Sequence, residues 1–79
     1  MKNFSILFTS NNNHKCYGLF SNVHKARSKM NQLWKKEINN LKQQNKSIET
    51  WRGKFQGKGF GACVIVGFGN WEIIEILNI

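Results

Sequence analysis

The chain predicts an α+β fold: one long amphipathic helix packed on an antiparallel sheet of four to five strands, in the order ββαββ(β). Two observations carry this expectation. Within Ser21 to Lys46, the residues Val23, Ala26, Met30, Leu33, Trp34, Ile38 and Leu41 recur at helical spacing and form one apolar stripe. On either side of that stretch the apolar residues follow the period of strands, short and separated by Asn or Gly. Seventy-nine residues make one domain, 1–79, and a chain this short buries only a modest core.

Taken in order, Phe4, Ile6 and Phe8 alternate with Ser5, Leu7 and Thr9, a strand burying one face firmly and the other partly. Ser10 to Asn13 is turn chemistry, because Asn accepts left-handed backbone angles and bonds its own main chain. His14 to Phe20 reads as the returning strand. Ser21 then supplies a helix cap, with Phe20 able to pack back onto the first turn. At about 100° per residue Lys25, Lys29 and Lys36 gather on one outer flank of the helix, Lys35 and Lys42 on another. Periodicity fades over Gln43 to Ser47, where fraying is expected. Ile48 to Phe55 suits either state and is read as a strand or an irregular edge.

Gly53, Gly57, Gly59 and Gly61 surround Lys54 and Lys58, which predicts a flexible basic loop or a twisted hairpin tip. Ala62 to Phe68 and Trp71 to Leu77 read as strands joined by a tight turn at Gly69 and Asn70. Both are apolar on both sides. A strand shows that pattern when both faces of its sheet are covered, and one helix covers only one. The second face is expected to meet the loop after the helix, a partner or a second copy, and a homodimer is the specific expectation.

Twelve Lys and Arg against four Glu give a net charge of +8, large for a chain of 9.2 kDa, and argue for an anionic partner. Asn, Lys and Ile make up 29 of the residues, as an AT-rich coding sequence gives, so part of the charge can be compositional. No apolar run approaches the ~18 residues that span a bilayer, and none resembles a secretion signal. Two cysteines are too few for a disulfide framework. A soluble cytoplasmic protein without membrane association is expected.

The catalytic classes find little support. His14, Cys16, His24 and Cys63 are zinc-ligand types, but no paired Cys-x-x-Cys spacing supports a site, and no cofactor is expected. Glu72 and Glu75 fall on opposite faces of a strand, so they make no acid and base pair. Nor is there a phosphate-cradling Gly-Lys-Ser/Thr. Trp51, Arg52, Lys54, Phe55, Lys58 and Phe60 interleave cations with rings instead. That pattern suits single-stranded nucleic acid, whose backbone tracks charge and whose bases stack on flat faces.

Lys58-Gly59-Phe60-Gly61-Ala62-Cys63-Val64-Ile65 resembles the first ribonucleoprotein motif of the RNA-recognition fold, but Ala62 stands where that family stacks an aromatic. After Phe68 there is also no room for that fold's second helix and last strand. The layout of strand, turn, strand, helix and closing sheet, with Phe20-Ser21 and Lys25-Ala26 opening the helix, is similar to small phage and mobile-element proteins, among them compact anti-CRISPR inhibitors. That resemblance implies a non-catalytic accessory protein acting in a host cell by occupying a surface. The expected partner is nucleic acid, or the nucleic-acid site of a host defence nucleoprotein, engaged by Lys25, Lys29, Lys36, Arg52, Lys54, Lys58 and Phe60. The alternatives are an interaction or homodimerisation module, and a small single-strand-binding protein.

Overall fold

The computed structural model describes residues 2–11, 13–53 and 60–77. Their elements are β1 (Lys2–Ser10), β2 (Asn13–Phe20), α1 (Val23–Gln43), β3 (Thr50–Gly53), β4 (Ala62–Ile65) and β5 (Gly69–Leu77). All strands pair antiparallel in one sheet of order β2-β1-β5-β4-β3, with α1 packed on one face, as the hydrophobic patterning predicts. Strands β2 and β3 are the two edges, and α1 is the link between them. Its 21 residues run about 32 Å at 1.5 Å each, against about 19 Å across five strands, so it can cross the whole sheet at a slant.

The core lies between helix and sheet. Ile6, Ile65 and Ile73 are at most 1 % exposed, and Ala26, Met30 and Leu41 are buried over them. Val23, Leu33, Trp34 and Ile38, the rest of the predicted stripe, pack half-buried against this cluster. Phe8, Phe68 and Trp71 close one end of it, with Phe8 and Trp71 centroids 4.8 Å apart.

Both helix ends differ from expectation. The N-cap is Asn22 rather than Ser21: its Oδ1 accepts the Lys25 amide at 2.9 Å from an extended backbone. Phe20 is held in the sheet opposite Phe4, so the chain needs Ser21 to turn before the helix starts. At the other end the fraying expected over Gln43 to Ser47 gives way to a defined stop. Asn45 adopts φ +58°, its amide donates to Lys42 O (3.0 Å) and the Lys46 amide to Leu41 O (3.2 Å), the two bonds of a Schellman motif.

The last turn also moves. It is made by Val66, Gly67 and Phe68, not by Gly69 and Asn70, and Phe68 N donates to Ile65 O at 3.0 Å. Gly67 takes φ +83°, the angle such a turn needs, whereas Gly69 already belongs to β5. There a Cβ would lie 2.8 Å from Thr9 O, so glycine is required by the close approach of β1. Strand β4 consequently stops at Ile65 and not Phe68. The Ile48 to Phe55 region contributes the short edge strand β3, while Lys54, Phe55, Gly57, Lys58 and Gly59 lie outside the described residues.

Register assigns the faces. Phe4, Ile6 and Phe8 pair with Glu75, Ile73 and Trp71 on the helix side, and Cys63 and Ile65 continue that row. Leu7, Val64, Ile74 and Ile76 alternate onto the far side, where they are half-buried. Glu72 shares the far side and Glu75 the near one, as the alternation requires. Ser5, opposite a bulge formed by Gly18 and Leu19, donates its hydroxyl to Gly18 O at 2.8 Å.

Candidate nucleic-acid interface

The site is built on a ridge of α1 that the apolar stripe hides. At 100° per residue Trp34, Arg27 and Asn31 stand about 20°, 40° and 80° round from Val23, so Arg27 falls within the apolar sector, between Trp34 and Ile38, and Asn31 at its border. Each of the three is tied to β4 or to the chain just before it. Arg27 Nε donates to Phe60 O at 2.6 Å, the Cys63 Sγ donates to Asn31 Oδ1 at 3.7 Å, and Trp34 Nε1 donates to Val64 O at 3.2 Å. Polar bonds thus fix the helix to one side of the sheet, where packing alone would allow it to slide.

Beside this ridge a cleft of about 320 Å³ opens between α1 and the β3–β4 edge. Arg27 and Asn31 line it from the helix, Arg52 and Gly53 from β3, and Phe60, Gly61 and Ala62 from the approach to β4. Both cations are held in place. Arg27 has one nitrogen fixed by a carbonyl, and the Arg52 guanidinium lies over the Trp34 ring, 5.9 Å from its centroid. Phe60 meets Phe4 edge-on at 5.0 Å.

Sequence reasoning identified Arg52 and Phe60, and the fold brings both to this cleft. Lys25, Lys29 and Lys36 are exposed but stand about 160° to 180° round the helix from Arg27, so they form a separate cationic flank. Lys54 and Lys58 are outside the described residues. Trp51 separates from the set: it pairs with Val64 on the far face and is 42 % exposed there, while its neighbour Arg52 pairs with Cys63 on the helix side. Arg27 and Asn31 were missed, although a polar residue inside an apolar helical stripe and another at its margin are a readable signal.

Charge is sorted by face. Lys15, which pairs with Phe8 and lies 5.1 Å from the Tyr17 ring, belongs to the helix side, as do Arg52 and the cations of α1. Among the described side chains of the strands, the far side carries no Lys or Arg. Lysine ammonium groups and guanidiniums on one layer are what a polyanion requires, and no strand lies between them and solvent.

Cys63 is fully buried in the helix-side row, and its thiol is pushed up to about 11 by burial, partly offset by the nearby Arg52 guanidinium. A thiol kept protonated is a poor nucleophile at neutral pH. Cys16 is exposed and pairs with Leu7 on the other face. Among the described residues no three His, Cys or Glu side chains gather to hold a metal ion, and no helix is long and apolar enough to cross a membrane. No family model, curated protein or solved structure matches the chain. What the surface binds has to be argued from its own chemistry.

Proposed function

We propose that this is a non-catalytic nucleic-acid-binding protein that takes the phosphate backbone on the exposed flank of α1. The observation that supports this is the sorting of the described strand and helix cations onto the helix side of the sheet. Lys25, Lys29 and Lys36 lie on one strip of a rigid helix, Lys35 and Lys42 on the next, and helix rise spaces such residues along a backbone groove. Direct phosphate contact of this kind positions nucleic acid without reading sequence.

Salt dependence is the test. Fluorescence anisotropy with single-stranded and duplex oligonucleotides should show affinity falling steeply with salt, about 0.7 to 0.9 log units per log of salt for each phosphate contact. The triple variant Lys25→Gln, Lys29→Gln, Lys36→Gln should reduce that slope by about 2 to 3. Binding that is flat with salt, or unchanged in the triple variant, would overturn the reading. Retention of a protein after nuclease treatment of a pull-down, lost in the triple variant, would mean that the flank occupies another protein's nucleic-acid site.

A second reading, self-association through the far face, is favoured by Leu7, Val64, Ile74 and Ile76. They form an apolar surface free of described cations in a chain of net charge +8.

A further inference from the structure

We infer that the cleft between Arg27 and Arg52 is a site for one nucleotide unit, a phosphate joined to a planar base, and that it is distinct from the lysine flank of α1. The choice of ligand rests on the nucleic-acid reading; the site itself rests on geometry. Two guanidiniums face one cleft of about 320 Å³, within the range of small-ligand sites and far more than a bare phosphate ion fills. The described residues that line it include no carboxylate.

The donors are preorganised. Arg27 spends its Nε on Phe60 O, which leaves its terminal amines as a fork for a second acceptor. Arg52 is braced over Trp34, and its guanidinium keeps its own donors. Asn31 has its Oδ1 occupied by the Cys63 thiol, so its amide nitrogen is the group left to donate. A phosphate is the ligand that accepts from several such donors at once. Phe60 supplies the complementary part: a ring at the cleft wall, braced edge-on by Phe4, against which a flat base can lie.

Position separates this cleft from the flank. Arg27 and the Lys25, Lys29, Lys36 strip point about 160° to 180° apart on α1, so a phosphate held by one cannot touch the other. A strand that occupies both would have to pass round the helix. A single-stranded chain can make that turn, and a stiff duplex cannot.

The chain contains only two arginines, so arginine Nε–H resonances report the cleft directly. In the wild-type protein, adenosine monophosphate, adenosine, inorganic phosphate and a short single-stranded oligonucleotide are titrated in turn, followed by NMR. Both Arg27 and Arg52 signals should move along one saturating curve with the monophosphate, and adenosine and phosphate should be at least about tenfold weaker. Arg52→Gln should weaken the monophosphate about tenfold or more. If the oligonucleotide moves both signals and the free monophosphate does not, the site takes its nucleotide from within a strand. If neither moves them, or adenosine alone binds as well as its monophosphate, the inference fails. Duplex binding with a steep salt slope would still uphold the lysine flank in that case, and its loss with the arginine shifts intact would uphold the cleft alone.

Discussion

Cys63 lies between the helix ridge and β4, in a position where charge has no solvent to meet. Burial raises its value from an ordinary 9.0 to about 11, so the folded chain holds the thiol proton more tightly than the unfolded one. The resulting stabilisation is whole below about pH 9 and is lost as pH rises towards 11, amounting to roughly 2 to 3 kcal/mol at about 1.4 kcal/mol per pH unit. Denaturant melts from pH 8 to 11 on wild type and Cys63→Ala should therefore converge, because the variant lacks the thiol and every other group is common to both. Parallel curves would mean that the thiol is no more protonated folded than unfolded. At neutral pH a thiol reagent should label Cys16 quickly and leave Cys63 intact in the native protein. At this scale the candidate site was only half legible. Arg52 and Phe60 stood out because cations and rings alternate along that stretch. Arg27 and Asn31 were missed because a search for an apolar stripe discards the polar residues within it and at its margin.

The body of α1 was readable because seven apolar residues at helical spacing leave one way to bury them. Its ends were not, since Ser21 and Asn22 are comparable caps and the choice depends on how far β2 stays paired. Strand β3 was ambiguous for a related reason: among the described residues it spans Thr50–Gly53, too few to show a period of two. The turn after β4 was misplaced because glycines at 67 and 69 serve different ends, one a positive φ and the other a close approach to β1. Asn45 offers a two-signed test of the helix stop. It holds φ +58°, which costs a residue with a Cβ about 1 kcal/mol or more, and Asn less than most. Asn45→Gly should raise the melting temperature by a few degrees, and Asn45→Val should lower it by about 4 to 8 °C, the shift that about 1 kcal/mol produces in a domain of this size. Equal effects of the two substitutions would show that the left-handed cap does not stop the helix.

At the scale of the whole molecule, the described residues of the sheet divide a cationic layer from a face where Leu7, Val64, Ile74 and Ile76 surround Glu72. Two copies meeting on their helix sides bring two lysine layers together, whereas on their far sides the described strand residues set down one carboxylate each, Glu72, and no Lys or Arg. Sheets pack about 10 Å apart, and each helix lies about 10 Å beyond its own sheet, so the two lysine layers would stand about 30 Å apart. That is several times the ~8 Å screening length at physiological salt. Apolar association of this kind should persist as salt rises, opposite in sign to nucleic-acid binding through the lysines. Light scattering over a micromolar to millimolar concentration series should show the mass doubling, at high salt as readily as at low. The pair Val64→Lys and Ile74→Lys, both half-buried on the far face, should return the protein to a monomer while keeping its fold by circular dichroism. A mass that stays at one chain throughout, or doubling that salt abolishes, would leave the far face without a second copy. The lysine flank and the arginine cleft would then be the surfaces that the charge of the described residues singles out.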